Sequence, residues 1–383
     1  MTRAAPRSAA DPVTRFVDWV RTDALPTWAE RGFDAAAGRF HERLDEAGRP
    51  LAVPHRAMVQ ARQIYVYAHA GMLGWHDRGV ELASRAMATL RREFCVHAGG
   101  CASVHFSVDV WPFAPRSTVR DAYTHAFVLF AAAYLHRATG DAALLDFADE
   151  VIGYIDAELF DPVHGGLFNT AEAREGEKLQ NPQMHLLEAY LALAEAAPGR
   201  GYLERAHPLV GLLDGRMMRW AEGVLPERFA ADWSPHPDPL VAGVFEPGHH
   251  FEWIWLLAWY ERLSGEALGR CRDALLASAT QPSATSAGLI RDQLGADGQV
   301  FRAAHRLWPH CEAIKAATAC DAPPALAEDA ARGLLDHFLG RPFAGGWTDQ
   351  LSPAREPIVD YVPASSLYHL MLAAAVANGA RAA

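Results

Sequence analysis

Six strongly apolar segments recur along the chain at intervals of about 60 residues, a spacing that indicates stacked supersecondary units. They occupy residues 58–73, 121–138, 182–197, 249–263, 309–320 and 364–379. If each segment is a helix, apolar residues occupy most of its surface, which is typical of a helix that is buried on all sides. We therefore predict six inner helices that other parts of the protein enclose.

Between these segments, turn-rich loops alternate with helices that are polar on one face only. In the segment 140–159, GDAALLDFADEVIGYIDAEL, apolar residues recur at helical spacing, which predicts an amphipathic outer helix. The loops combine glycine with aromatic residues, which is typical of tight hairpins. They centre near Gly32, Gly99, Gly165, Gly223, Gly288 and Gly345. The repeated unit is therefore a loop, an inner helix and an outer helix.

Six such helical hairpins that close on themselves form an (α/α)6 barrel, an all-α fold with an inner and an outer ring of helices. All inner helices then run in one direction, so their first turns meet at one end, beside the short β-hairpins of the loops. We expect residues 12–380 to form this single domain and residues 1–11 to be disordered. Two unrelated helical domains are the alternative, but they would not explain why loop chemistry and spacing recur together.

Composition narrows the choice of ligand and compartment. The chain has 383 residues, 50% of them hydrophobic, and its net charge of −11 disfavours a nucleic-acid surface. The five cysteines form no CxxC pair, which is typical of free thiols in a reducing compartment. No apolar run resembles a secretory signal or a membrane span. We expect a cytoplasmic monomer or homodimer that binds a small polar molecule, without membrane or nucleic-acid partners.

Polar residues cluster at the first turns of the otherwise apolar inner helices. His185, His249 and His369 hold such positions in three repeats, and Glu188 and Glu252 follow the first two at i+3, on the same helix face. In a barrel these groups converge on one cavity, which is the default position for a binding site. The positive end of a helix disfavours a protonated imidazole, so we expect neutral histidines that are able to act as bases.

Other histidines and the tryptophans of these helices have a simpler interpretation. A histidine at a helix start is more often a satisfied structural group than a functional one. We favour this interpretation for His125, His250 and His310, and we assign the tryptophans of the fourth inner helix to core packing. These are Trp253, Trp255 and Trp259.

The residues alone leave other chemistries open. Histidines beside carboxylates could bind zinc, although the HxxE order of HHFE and HLLE matches neither HExxH nor the ExxH of di-iron bundles. Lys315 could form a Schiff base, but Glu312 is a suitable ion-pair partner for it. An inverting glycoside hydrolase would need two carboxylates about 6.5–9.5 Å apart, for which Glu252, Glu312 and Asp349 are candidates. A carbohydrate-binding or protein-interaction scaffold without catalysis is a further alternative.

Five motifs together resemble the N-acylglucosamine 2-epimerase superfamily: VQARQIYVYAHA, NPQMHLLEA, EPGHHFEW, LWPHCEAIKA and GGWTDQL followed by PIVDYVPASSLYHL. The resemblance covers nearly the whole chain and implies an (α/α)6 barrel that isomerises or epimerises a sugar at carbon 2 without a metal or cofactor. By their motifs, His249 and His369 match the acid/base pair of the family, and His185 matches a histidine of ring opening and substrate binding. The positions that match the pocket lining are Arg62, Tyr123, Asn181, Glu252, Trp308, Glu312, Trp347 and Asp349.

The C-terminal motif VPASSLYHL is similar to the isomerases of this superfamily. The resemblance therefore implies an aldose–ketose isomerase that interconverts D-mannose and D-fructose, with D-lyxose and D-xylulose as a further pair. A sugar 2-epimerase acting on N-acylglucosamine or another aldose is the first alternative, and the glycoside hydrolase is the second. His310 stands where the family is expected to carry glutamine, a departure that bears on the preferred sugar.

Overall fold

Two rings of helices build the structure, and the (α/α)6 prediction is confirmed. The computed structural model describes residues 11–108, 117–320, 322–323 and 325–382, so the predicted disorder of residues 1–11 concerns a segment of which only Asp11 is described. In chain order the helices are α1 (Pro12–Trp19), α2 (Leu25–Arg31), α3 (Ala57–Met72), α4 (Gly79–Glu93), α5 (Ala122–Thr139), α6 (Ala143–Tyr154), α7 (Gln180–Ala196), α8 (Tyr202–Leu212), α9 (Pro247–Ser264), α10 (Gly269–Ala279), α11 (Trp308–Ala319), α12 (Ala325–Gly333) and α13 (Leu367–Ala382). The odd-numbered helices from α3 to α13 are the inner ring, and each agrees with its predicted segment to within three residues.

The outer ring begins with α1 and α2, which a π-helical turn at Val20–Ala24 joins into one helix. Similar turns extend α6, α8 and α12 at Ile155–Leu159, Leu213–Met217 and Leu334–Phe338, and 3₁₀ turns lie at Pro282–Ala284 and Ala364–Ser366. The ring closes because α13 packs against α3, and α1 packs against both α12 and α13. The first outer helix therefore completes the last hairpin.

Short antiparallel strands connect the six loops at one end of the barrel. Within single loops, the pairs are Phe33–Asp34 with Arg39–Phe40, Cys95–Ala98 with Cys101–Val104, Thr285–Ser286 with Leu289–Ile290, and Gln293–Gly295 with Val300–Arg302. Between successive loops, the pairs are His55–Arg56 with Ser107–Val108, Lys178–Leu179 with Arg228–Phe229, Val244–Phe245 with Gln293–Gly295, His305–Arg306 with Gln350–Leu351, and Tyr361–Pro363 with Arg43–Asp45. A bridge between Asp121 and Thr170 supplies the remaining junction. Each loop is thus paired with the next around the whole ring.

Five of the loops are each held in place by one side chain near the start of an inner helix. His125, His250 and His310 each accept a backbone N–H through Nε2, from Val104, Leu225 and Ile290 at 3.0, 3.2 and 3.1 Å. Gln60 and Gln183 perform the same task with both atoms of the amide, on Phe40 and Leu167. The structural interpretation of these three histidines is therefore confirmed. Since glutamine holds two other loops in the same way, we expect that His310 serves its loop and that its effect on the preferred sugar is small.

A large hydrophobic cluster extends from Val13 to Ala377 and occupies the space between the two rings, and a small second cluster lies among the loops. Trp253 and Trp259 are buried in it, and Trp255 packs against it while half-buried. The exact limits of the domain stay a prediction. Among the helices of the described residues, none is both long and apolar enough to cross a membrane.

Candidate active site

A cavity of about 520 Å³ opens at the loop end of the barrel, where the first turns of the inner helices meet. The helices place the side chains there directly: His249 is the third residue of α9, Tyr123 the second of α5, and Trp308 the first of α11. Nine of the eleven predicted site residues line this cavity. They are Arg62, Tyr123, Asn181, His185, His249, Glu252, Trp308, Asp349 and His369.

Each of the three predicted catalytic histidines is held through Nδ1 by a buried or half-buried carboxylate. The pairs are His185 with Glu188 at 2.9 Å, His249 with Glu227 at 2.8 Å, and His369 with Glu312 at 2.7 Å. An ionised carboxylate accepts the Nδ1–H bond, which leaves Nε2 as the nitrogen that is free to exchange a proton. The three rings are thus held in a fixed orientation by three different elements of the barrel.

The charges of the histidines differ, contrary to the expectation that all would be neutral. Burial lowers the pKa of His185 to about 3 and the pKa of His369 well below its usual range. Burial also lowers the pKa of His249, but the carboxylates of Glu227 and Glu246 outweigh it and raise this pKa to about 9. The helix N-terminus therefore does not decide the charge of His249, because two carboxylates lie 2.8 and 3.5 Å from its Nδ1. At neutral pH the cavity holds one imidazolium and two neutral imidazoles.

Trp308 contacts both histidines of the predicted acid/base pair. Its ring lies 4.9 Å from the ring of His249 and 5.4 Å from that of His369, measured between centroids. Gly248 makes this position possible, because a Cβ there would approach the Trp308 ring to 2.5 Å. The glycine of the EPGHH motif is thus explained by the close packing of α9 against the indole.

Arg62 supplies a positive charge on the opposite wall. Its guanidinium donates to the Tyr123 hydroxyl at 2.5 Å and to the Ser365 carbonyl at 3.2 Å. It also lies over the rings of Phe127 and Tyr368, at 4.2 and 4.8 Å from their centroids. Among the described residues, no carboxylate forms an ion pair with Arg62. Its charge therefore remains available to a negatively charged oxygen of a ligand.

Three further arginines lie at the rim of the cavity, and a carboxylate neutralises each of them. The pairs are Arg56 with Glu42 at 2.5 Å, Arg228 with Glu177 at 3.1 Å, and Arg306 with Glu246 at 2.5 Å. Sequence reasoning did not identify these rim residues, nor Glu227. Each pair joins positions that are 14 to 60 residues apart, so the chain offers no local pattern that would reveal them.

The remaining two predicted site residues lie behind the cavity wall. Glu312 is fully buried and contacts His369 instead of the cavity. Trp347 belongs to the hydrophobic core, where its ring stacks on that of Trp28 with centroids 5.2 Å apart. The predicted direct contact of Trp347 with a sugar therefore does not agree with its position, because its indole faces the outer helix α2.

Three sets of donor atoms have the spacing of a metal site, each with its atoms within 4.8 Å of one another. The sets are His185, Glu188 and Glu252; Glu227, Glu246 and His249; and Glu252, Glu312 and His369. Other groups already engage them: the Tyr368 hydroxyl donates to Glu188, the Arg306 guanidinium pairs with Glu246, and the Lys315 ammonium pairs with Glu312. Because two of these groups are cations that would oppose a metal ion, we do not identify the sets as metal ligands.

Comparisons with known proteins find relatives that cover most or about half of the chain. A mannose-6-phosphate isomerase of Rhizobium meliloti (strain 1021) is 30% identical over 372 residues, 93% of this chain and 94% of that protein. A D-mannose isomerase of Pseudomonas cannabina pv. alisalensis is 31% identical over 53% of this chain and 54% of that protein.

A solved cellobiose 2-epimerase from Spirochaeta thermophila DSM 6192 has the same fold, with a TM-score of 0.83 and 23% identity over 96% of both chains. The sequence profile of the N-acylglucosamine 2-epimerase family matches residues 38–373. The chain therefore belongs to the N-acylglucosamine 2-epimerase family of sugar epimerases and isomerases.

Proposed function

We propose that the protein is an aldose–ketose isomerase that interconverts D-mannose and D-fructose, and also D-lyxose and D-xylulose. The observation that carries this proposal is that His249 and His369 both lie beside Trp308 in the cavity, where carboxylates favour the charged form of His249 and burial favours the neutral form of His369. An isomerase needs one neutral base that moves a hydrogen between two neighbouring carbons and one acid that serves the oxygens. The names of the related isomerases support the same reaction.

In the first half of the reaction, Nε2 of neutral His369 removes the proton from carbon 2 of the open-chain aldose. The electron pair of the broken C–H bond forms the C1=C2 double bond, and charge moves to oxygen 1. His249, as an imidazolium, donates its proton to oxygen 1, while the Arg62 guanidinium stabilises the negative charge that develops there. The product is a neutral cis-enediol between a protonated His369 and a neutral His249.

In the second half, the proton on His369 passes to the substrate, and His249 regains a proton from it. His369 delivers its proton to carbon 1, and neutral His249 takes the proton of oxygen 2 as the carbonyl group forms at carbon 2. The ketose leaves, and both histidines are back in their starting states. One base on one face of the enediol thus suffices for isomerisation.

Other residues bind the sugar and prepare it for reaction. His185 is neutral and lies in the cavity beside Tyr123, with ring centroids 4.9 Å apart, where it can assist opening of the pyranose ring. Asn181 Oδ1 and Glu252 Oε1 are buried acceptors without a hydrogen-bond partner among the described residues, and sugar hydroxyls would satisfy them. Trp308 offers an apolar face to the C–H groups of the substrate.

A free sugar suits this cavity better than a phosphorylated one. Carboxylates engage all three rim arginines, Arg56, Arg228 and Arg306. A phosphate group would have to displace those carboxylates or remain without an ionic partner. We therefore propose free D-mannose as the substrate, although one relative is named for the 6-phosphate.

Product analysis of the purified protein tests this function. Incubation with D-mannose should give D-fructose, and the reaction in deuterium oxide should place deuterium at carbon 1 of the fructose in proportion to the exchange of the His369 proton with solvent before its delivery. Treatment with EDTA should leave the rate unchanged; a loss that one divalent ion restores would favour a metal enzyme. Absence of fructose would show that the assignment is wrong.

A sugar 2-epimerase is the second candidate, and the family name and the solved epimerase with this fold favour it. Here His249 would return a proton to carbon 2 from the face opposite to His369. D-Glucose without fructose from D-mannose would identify this reaction. Release of monosaccharides from an oligosaccharide would instead indicate the glycoside hydrolase.

A further inference from the structure

Lys315 is an ammonium group in the interior of the barrel, with no exposed surface. It is one of two lysines in the chain, and it lies on α11 below the cavity floor rather than in it. Its Nζ is 2.5 Å from Glu312 Oε2 and 4.4 Å from the ring centroid of Trp255. Burying a charge at such a depth is costly unless close partners compensate it. A methionine would fill the same space without that cost, so this lysine calls for an explanation.

Direct contacts connect Lys315 to the proposed catalytic base. The carboxylate of Glu312 meets Lys315 through Oε2 and His369 Nδ1 through Oε1, the latter at 2.7 Å. One carboxylate therefore joins the buried ammonium to the imidazole. Any change in the charge of Glu312 is felt directly at Nδ1.

The protonation of Glu312 decides which nitrogen of His369 carries its hydrogen. An ionised Glu312 accepts a hydrogen bond from Nδ1–H, so Nε2 has a free electron pair and is able to act as a base. A protonated Glu312 would donate to Nδ1, and the hydrogen of the neutral ring would then sit on Nε2. In that second tautomer, His369 could not remove a proton from carbon 2.

We propose that Lys315 is a positioning residue that keeps Glu312 ionised and thereby holds His369 in the tautomer with a free Nε2 electron pair. This inference rests on the proposed role of His369 as the carbon base. Lys315 does not touch the substrate, and Glu312 is the residue through which it contacts His369.

The surroundings of Glu312 show why a cation is needed there. Burial and the carboxylates of Glu252 and Glu188 together hold the pKa of Glu312 well above its usual range, and Lys315 is the group that opposes this rise. The same three carboxylates outweigh burial and raise the pKa of Lys315, so its charge persists. Arg62, Lys315, His185 and His249 face His369 from the other elements and disfavour its protonation. The carboxylates of Glu312 and Glu252 face it as well and act in the opposite direction.

The first test is Lys315→Met, which keeps the volume of the side chain and removes its charge. At neutral pH kcat should fall by about 10²–10⁴-fold, the contribution of one positioned base, with little change in KM. The activity of the variant relative to the parent at the same pH should recover as the pH is raised, because hydroxide then ionises Glu312 and restores the productive tautomer. The ¹⁵N chemical shifts of His369 in labelled protein should show hydrogen on Nδ1 in the parent and on Nε2 in the variant.

The double variant Lys315→Met, Glu312→Gln separates tautomer control from packing. The amide oxygen of glutamine accepts Nδ1–H without any charge, so most of the activity lost in the single variant should return at neutral pH. The recovery at raised pH should also disappear, because residue 312 can no longer ionise.

Lys178 provides a matched control. It is the other lysine, it is buried in an ion pair with Asp161, and it has no contact with the three pairs that hold the histidines. Lys178→Met should lower the melting temperature while it leaves the pH profile and the His369 shifts unchanged. Thermal unfolding of all variants identifies any that fail to fold, and the double variant, which removes the ammonium together with the carboxylate that contacts it, then provides the comparison.

The proposal is overturned if folded Lys315→Met retains hydrogen on Nδ1 of His369, or if its activity loss is the same at every pH. Hydrogen on Nε2 in the parent protein would overturn it as well. The NMR measurement needs no turnover, so it decides the role of Lys315 even if D-mannose is not the substrate. Absence of fructose from the parent protein would count against the proposed function alone.

Discussion

The surroundings of His249 and His369 show how one barrel holds two imidazoles in opposite states. Loop residues surround His249: Glu227 lies 2.8 Å from its Nδ1 and Glu246 lies 3.5 Å away, and together they keep the ring charged. Helix residues surround His369, where the charge of Glu312 is balanced by Lys315 and the ring stays neutral. Two histidines at the third position of inner helices thus acquire different chemistry from their neighbours, not from their place in the repeat.

The largest effect should come from removing either ring. His369→Ala and His249→Ala should each lower kcat/KM for D-mannose by about 10²–10⁴-fold or more, because each ring transfers a proton in every turnover. Circular dichroism and thermal unfolding serve as controls for the fold. Wild-type rates in both variants would refute the assignment of the acid and the base.

The next effect concerns the charge of His249 alone. Glu227→Gln removes the carboxylate that contributes most to the raised pKa of about 9, so that pKa should fall. The imidazolium is lost as the pH rises through its pKa, so the alkaline limb of the kcat/KM profile should move to lower pH. Above that limb, activity should decrease by about tenfold for each unit of pKa lost.

Glu177→Gln is the matched control for this variant, because Glu177 is also a rim carboxylate but pairs with Arg228. Its alkaline limb should stay where it is in the parent. If both variants shift the limb equally, the general charge of the rim, not contact with His249, sets the acid.

A smaller effect is expected from the charge of the substrate. D-Mannose 6-phosphate should have a kcat/KM at least about tenfold below that of D-mannose, because no rim arginine is free to receive the phosphate. Initial rates with both sugars measure the ratio. Glu42→Gln, which frees Arg56, should bring the ratio closer to one. A preference of the parent protein for the phosphate would mean that the rim ion pairs open readily.

The smallest effect should come from a histidine outside the cavity. His310→Gln should keep both stability and sugar preference, because Gln60 and Gln183 hold their loops in the same way. His310→Ala leaves the backbone N–H of Ile290 unpaired and should lower the free energy of unfolding by about 1–3 kcal/mol. Denaturant unfolding and a panel of aldoses distinguish the two results. A changed sugar preference in His310→Gln would show that this loop shapes the cavity.

The repeated pattern of the chain was sufficient to predict the helices and the end of the barrel at which the site lies. Motif positions such as His185, His249 and Trp308 could be placed because helix geometry fixes the direction of a first turn. The charge of His249 could not be predicted, since Glu227 reaches it from another loop, 22 residues earlier in the chain. Trp347 could not be placed either, because a loop residue has no periodic face that tells core from cavity.

The pairing of Tyr361–Pro363 with Arg43–Asp45 brings together strands that are separated by almost the whole chain. During synthesis the cavity therefore cannot form until α13 has been made. Until then, the apolar side of α3 against which α13 packs stays uncovered. Truncation near the C-terminus should thus be far more harmful than its distance from most site residues implies. Because α1 and α13 are neighbours, a circular permutation could join them and place new termini between two outer helices.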